Sequence, residues 1–226
     1  LNQNILNEIF SENSIDLVIH LAGLKSVSLS HDMPIDYYEN NLMGSIAVIK
    51  AMNNAGIKNL IFSSSATVYG APEILPIDEN HPTNPTNPYG NTKLQVENIL
   101  QDICKNDKSW NVISLRYFNP VGAHESGLIG ENPNNVPNNL MPYMFRVLNG
   151  DSEYLSVFGS DYDTKDGTGE RDYIHVMDIA EGHLAAMKNI FNFKEKNTKL
   201  PNYDVYNLST GNSLSVFDII KSLESI

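Results

Sequence analysis

Leu60-Ile61-Phe62-Ser63-Ser64-Ser65-Ala66-Thr67 is the stretch on which the fold turns. An apolar run too short for a helix, closed by hydroxyl residues, reads as a strand buried on both faces, as in a parallel sheet. The same signature lies upstream at Leu17-Val18-Ile19-His20-Leu21, ending in Ala22-Gly23. Between the two, Pro34 precedes a helical pattern over about residues 35–55, which Gly56 stops. Downstream, a loop holding Pro72, Pro76, Pro82, Pro85 and Pro88 leads to a helix over about 89–105 and a third strand over 112–118. Alternating strands and helices of this length predict an α/β fold with a doubly wound parallel sheet and right-handed crossovers.

After residue 118 the organisation changes. Residues 119–139 are rich in Asn, Pro and Gly. Short helices over 140–148 and 177–191 then alternate with short strands over 154–158 and 204–208, and Asn192 to Pro201 reads as a surface loop. A last helix starts near Ser215, where Asp218 completes a capping-box pattern. The expected division is a sheet domain over 1–118 and a smaller mixed α/β lobe over 119–226, with residues of about 172–191 returning to the first. Such a lobe belongs over the carboxyl ends of the strands, where these sheets bind ligands.

The charge balance excludes some partners. With 15 Lys and Arg against 27 Asp and Glu, the net charge is -12, and no basic run offers a footprint for nucleic acid. No apolar run is long enough to span a bilayer. The single Cys104 falls in the apolar pattern of a helix and is expected in the core. A cytoplasmic setting fits this usage. The six His residues lack metal-binding spacing, so no metal is expected, and His20 and His175, each inside a strand-like run, are expected to be structural.

Chemistry concentrates at Tyr89-Gly-Asn-Thr-Lys93. Tyr and Lys one helical turn apart share a face. A phenol has an ordinary pKa of about 10 and is a poor base until neighbouring positive charge favours the phenolate. Lys93 could in this way make Tyr89 a general base toward a substrate hydroxyl. A surface Tyr and Lys on an ordinary helix is the plainer alternative. Against it stands Ser65 at the end of the preceding strand, whose hydroxyl can bridge the same substrate oxygen.

Ser63-Ser-Ser-Ala-Thr-Val-Tyr-Gly70, Tyr89-Gly-Asn-Thr-Lys93, Arg116-Tyr-Phe-Asn-Pro-Val-Gly-Ala-His124, Pro137-Asn-Asn-Leu-Met-Pro-Tyr143 and Asp166-Gly-Thr-Gly-Glu-Arg-Asp-Tyr-Ile-His-Val-Met-Asp178 occur in that order. Together they resemble the UDP-glucose 4-epimerases of the extended short-chain dehydrogenase/reductase superfamily, across the whole chain. The resemblance implies a Rossmann-like domain with tightly bound NAD, a UDP-sugar substrate and a homodimer. It implies Tyr89 as base, Lys93 as its support and ribose ligand, and Ser65 on the reacting sugar oxygen. Leu21, Ala22, Gly23, Leu24, Lys25, Asn40 and Phe118 would touch the cofactor. Asn119, Asn139 and Leu140 would line the nucleotide-sugar pocket, Ser156, Val157 and Phe158 would hold the uracil, and Arg171 the diphosphate. Phe118 and Phe158 could instead be core aromatics, and Arg171 an ion pair with Asp172 or Asp178.

The implied reaction takes the 4-hydroxyl proton to Tyr89 while hydride passes to NAD, turns the 4-keto sugar over, and returns the hydride to its other face. Related dehydratases need acidic residues after the first serine; Ala66 and Thr67 stand there instead, which disfavours elimination. The family's glycine-rich turn for the pyrophosphate has no counterpart here. With helical patterns at both Leu1 and Ile226, the chain is expected to be a fragment and, taken alone, not to hold NAD. A nucleotide-sugar-binding module of the same fold is the other reading, against which the retained Tyr89, Lys93 and Ser65 argue.

Overall fold

The computed structural model describes residues 2–131, 139–196 and 202–225. They form two compact units: Leu1–Tyr117 with Glu181–Leu208, and Phe118–Ala180 with Ser209–Ile226.

The first unit is built on a parallel sheet of order β1-β2-β3-β6, made of Val18–His20 (β1), Asn59–Ser65 (β2), Asn111–Tyr117 (β3) and Tyr203–Leu208 (β6). Every residue of β2 is buried. Its side chains alternate between two cores, as a strand covered on both faces requires. Leu60 and Phe62 join Val96, Leu100, Cys104 and Trp110 on one side, and Ile61 meets Ile113, Leu115, Ala186 and Ile190 on the other. Cys104 is therefore a core residue, as expected, and burial pushes its thiol up to about 12.

The first strand departs from expectation. It is not buried on both faces, since Ile19 is 43% exposed, and among the described residues β1 lies at the edge of its sheet. The helical pattern over 35–55 also divides. Val27–Asp32 (α2) precedes it, and Pro34–Tyr37 (α3) passes through a π-helical turn, Tyr38–Met43, into Gly44–Asn54 (α4). Gly56 ends α4 at φ +73°, with the Ile57 N–H donating to the Met52 carbonyl and that of Gly56 to Asn53, the paired bonds of a Schellman stop. Gln3–Glu12 (α1) runs beside α4, where Gln3 Nε2 donates to the Ala47 carbonyl. Pro88–Asn106 (α5) starts where Asn87 caps the Gly90 N–H at 2.8 Å and Pro88 occupies a first-turn position with no N–H to satisfy.

The second unit holds a three-stranded sheet of Asn119–Val121 (β4), Glu170–His175 (β5) and Ser213–Ser215 (β7), in that order. Strands of three residues carry too little alternation to register in sequence, and residues 119–121 were expected to be irregular. Conversely, the strand expected at Tyr154 to Phe158 does not form. Leu140–Leu148 (α6) matches the reading, and Val216–Glu224 (α8) begins with the expected Ser215–Asp218 capping box. Val176–Lys196 (α7) overruns the surface loop expected from Asn192; the loop's residues 197–201 lie outside the described residues, as do Pro137 and Asn138 of one motif.

Candidate active site

The three serines that close β2 face three different tasks. The Ser63 carbonyl accepts a hydrogen bond from Lys93 Nζ at 2.6 Å. Ser64 Oγ donates to Glu97 Oε1 at 2.5 Å. Ser65 Oγ accepts from Thr67 twice, from its N–H at 3.2 Å and its hydroxyl at 3.0 Å, and is hydrogen-bonded to the Tyr89 phenol. With its lone pairs so occupied, Ser65 presents its own proton to Tyr89. Thr67 was noted in the sequence only for lacking an acid; its part in orienting Ser65 lies in the turn Ala66–Tyr69, which sequence spacing alone does not reveal.

Gly90 explains how Tyr89 reaches that turn. A Cβ there would lie 2.8 Å from the Thr67 carbonyl oxygen and 3.0 Å from Pro85, so only glycine lets α5 start this close to β2. Tyr89 and Lys93 then share the helix face expected of them, with Nζ 5.9 Å from the phenol ring centroid and 5.0 Å from that of Phe62. Lys93 is 6% exposed. Burial draws its ammonium down to about 8, against the pull of Glu97. Burial also holds the Tyr89 phenol above its ordinary value, outweighing the Ser65 hydrogen bond, while the neighbouring Tyr37 phenol adds to the rise.

The loop after β1 lies next to the lysine. Leu21, Ala22, Gly23, Leu24 and Lys25 are all exposed. A Cβ on Gly23 would come within 3.2 Å of Asn41 Oδ1 and 3.8 Å of Lys93 Nζ. Asn41, the neighbour of Asn40, fixes this loop. Its side chain accepts from the Leu24 N–H at 2.7 Å and donates to the Leu24 carbonyl at 3.0 Å and to Thr92 Oγ1 at 3.2 Å. Both asparagines sit in the π-helical turn, Asn41 buried and Asn40 exposed. A π-turn of this kind inside an α-helix is frequent at functional sites. His20 is structural, as expected: its Nε2 meets Ser45 Oγ at 2.9 Å, and burial draws its pKa down to about 4.

In the second unit Phe118 and Asn119 are half-buried, and Asn119 Nδ2 donates to the Asp172 carbonyl at 2.9 Å. Asn139 is exposed beside the half-buried Leu140 at the start of α6. Ser156 is exposed and Val157 half-buried, while Phe158 is 86% exposed and therefore no core aromatic. Arg171 is exposed on β5, with Nη1 donating to the Glu170 carbonyl. The Asp172 carboxylate is instead taken by Thr210 and the Gly211 N–H. His175 sits against Gly122, where φ is +84° and a Cβ would fall 2.3 Å from the imidazole. Among the described residues no group of His, Cys, Asp and Glu is arranged to hold a metal ion, and no helix is long and apolar enough to cross a membrane.

The arrangement has close counterparts among known proteins. The chain is 52% identical to the UDP-glucose 4-epimerase of Bacillus subtilis over its whole length, covering 65% of that protein. It is likewise 52% identical to the human UDP-glucose 4-epimerase, covering 63% of it with 99% of its own residues. The structure superposes with a TM-score of 0.91 on a UDP-glucose 4-epimerase from Bifidobacterium longum in complex with NAD+ and UDP, at 49% identity, covering 99% of this chain and 65% of that one. The chain thus spans about two-thirds of the length of these relatives. Residues 1–208 match the model of the NAD dependent epimerase/dehydratase family, and the chain belongs to that family.

Proposed function

We propose that the full-length protein interconverts UDP-glucose and UDP-galactose at C4 of the sugar, with NAD as its resident cofactor. The observation that carries this reading is the Tyr89–Ser65 hydrogen bond with Lys93 buried one helical turn away. A phenol and a hydroxyl converge there on the place where a sugar oxygen would react, with a cation beneath them.

The residues fit a nicotinamide nucleotide. Gly23 leaves backbone accessible beside Lys93, and the exposed loop of Leu21 to Lys25, with Asn40, Lys93 and Phe118, would hold it. When bound, NAD supplies the hydride acceptor and donor for C4. An oxidised nicotinamide ring would also supply the further positive charge that the Tyr89 phenol needs, since burial, with the Tyr37 phenol beside it, holds it above its ordinary value. Tyr89 takes the proton of the 4-hydroxyl while Ser65 donates a hydrogen bond to the same oxygen; when the sugar returns with its other face presented, Tyr89 gives the proton back and Ser65 donates again.

On the substrate side, Arg171 is proposed for the diphosphate, where its fork of donors suits paired phosphate oxygens. Asn119, Asn139 and Leu140 would line the sugar pocket, and Ser156, Val157 and Phe158 the uracil. The exposure of Phe158 suits an aromatic that stacks on a base. A homodimer in the cytoplasm completes the reading. Ile46, Val48, Leu94 and Ile99 on α4 and α5 are only half-buried, while Ile49 is in the core, which leaves apolar surface for a second copy.

The test is direct. Purified full-length protein given UDP-galactose without added NAD should form UDP-glucose, and denaturation should release NAD. Absence of conversion, with NAD supplied or not, would overturn the proposal.

A further inference from the structure

Between α5 and the serine strand lies a buried charged cluster that the proposed mechanism does not use. Glu97 stands one helical turn after Lys93 on α5 and is 3% exposed. Its Oε1 accepts from Ser64 Oγ and from Arg116 Nε at 3.0 Å, and its Oε2 from Arg116 Nη2 at 2.6 Å. Arg116, 6% exposed on β3 and in register with Ser64, donates through Nη1 to the Tyr69 hydroxyl at 2.9 Å, which in turn donates to Asn207 Oδ1 at 2.6 Å. Every buried polar atom of the cluster has a partner.

This cluster is more than an isolated ion pair. Two successive turns of α5 are fastened to two successive residues of β2, Lys93 to the Ser63 carbonyl and Glu97 to the Ser64 hydroxyl, and Ser65 comes next. The pair Glu97–Arg116 is neutral as a unit, whereas Lys93 is a buried cation whose side chain contacts a carbonyl and aromatic rings. Around Lys93 stand Tyr89 and Glu97 of α5 and His20 of β1, which is neutral near pH 7. Around Glu97 stand Ser64 of β2, Arg116 of β3, Tyr203 of β6 and Lys93. Glu97 is therefore the one carboxylate among these groups.

We infer that Glu97 is a positioning residue for Lys93 and Ser65: it locks α5 onto the serine strand and keeps the buried Lys93 protonated, with Arg116 setting how much of its charge Lys93 feels. The inference rests on the assignment of Lys93 and Ser65 to the epimerase site. It deepens that assignment by placing the electrostatic control of the site one helical turn further along α5. The sign of the control follows from the charges. Removing the anion leaves two buried cations, Lys93 and Arg116, and makes Lys93 easier to deprotonate. Removing Arg116 leaves the anion unshared and makes Lys93 harder to deprotonate.

The experiment is the pH profile of turnover in the full-length protein, whose alkaline limb marks loss of the Lys93 proton. Glu97→Gln should move that limb down by about one pH unit, Arg116→Met should move it up, and the double variant should return it toward wild type. Arg116→Lys should leave it in place. A merely structural pair would lower stability without moving the limb, so limbs that stay fixed, or that move in the same direction, overturn the inference. Should Glu97→Gln or Arg116→Met not fold, Glu97→Asp carries the test. It keeps the charge and the limb but draws the carboxylate back from Ser64, and should lower kcat about tenfold with KM unchanged; a wild-type kcat would overturn the positioning role. Tyr89→Phe, run alongside, separates the two claims: if it is active, the site assignment fails, and if it is inactive, the outcome at Glu97 is judged by itself.

Discussion

Replacing Asn41 by Ala should loosen the loop that follows β1 and cost the protein measurable stability. The side chain is 4% exposed and makes two hydrogen bonds to the Leu24 backbone and one to Thr92. Leu24 is 38% exposed, so its freed N–H and carbonyl can turn to water. The Thr92 hydroxyl keeps its bond to the Tyr89 carbonyl at 2.7 Å. Each lost bond therefore costs its net value, about 0.5–1.5 kcal/mol, and the three together about 1.5–4.5 kcal/mol. That corresponds to roughly 3–18 °C in melting temperature for a chain of this size. The loop so released is the one proposed to hold the cofactor, so NAD affinity should fall as well. Thermal melts by circular dichroism, with and without NAD, read both effects. An unchanged melting temperature would refute the idea that Asn41 fixes the loop, and unchanged NAD affinity in a destabilised variant would refute the loop's proposed role.

Two further predictions concern charge. His20 has a folded pKa of about 4 against its ordinary 6.5. As pH falls the unfolded chain takes the proton first, so stability is lost between about pH 6.5 and 4, by at most about 3 kcal/mol. His20→Gln should flatten the dependence of unfolding free energy on pH across that window, and an unchanged slope would dismiss the account. Arg171→Ala should weaken UDP binding by roughly 1.5–3 kcal/mol, the worth of hydrogen bonds to charged groups, or roughly ten- to a hundredfold in Kd. Unchanged affinity by calorimetry would return Arg171 to a purely structural place on β5.

How far the molecule could be read from its sequence differs by element. Leu60 to Ser65 was legible because a strand covered on both faces needs apolar or small residues at every position. The stop at Gly56 and the capping box at Ser215 were legible because a helix end has specific unsatisfied groups and only a few residues satisfy them. The exposure of β1 was not, since Leu17 to Leu21 reads as covered on both faces from its apolar residues alone, whereas Ile19 is 43% exposed. The π-helical turn was hidden inside a continuous helical pattern, and with it the burial of Asn41 beside the exposed Asn40. At the site, the pairing of Tyr89 with Lys93 followed from helical periodicity. The separate uses of Ser63, Ser64 and Ser65 did not, because they depend on which atom of each residue meets α5. Tyr154 to Phe158 has the composition of a strand, but among the described residues no strand pairs with residues 154–158.

The claim on which the rest depends is that Tyr89 exchanges the proton of the sugar hydroxyl. Tyr89→Phe removes one oxygen from a position whose hydrogen-bond partner, Ser65, is also tied to Thr67, so the fold should be kept. The decisive measurement is kcat for UDP-galactose in the full-length Tyr89→Phe protein, with NAD content and circular dichroism matched to wild type. The account predicts a fall of about 100- to 10,000-fold, the range of general acid–base contributions. Retention of more than about half the wild-type rate, far outside that range, would contradict it.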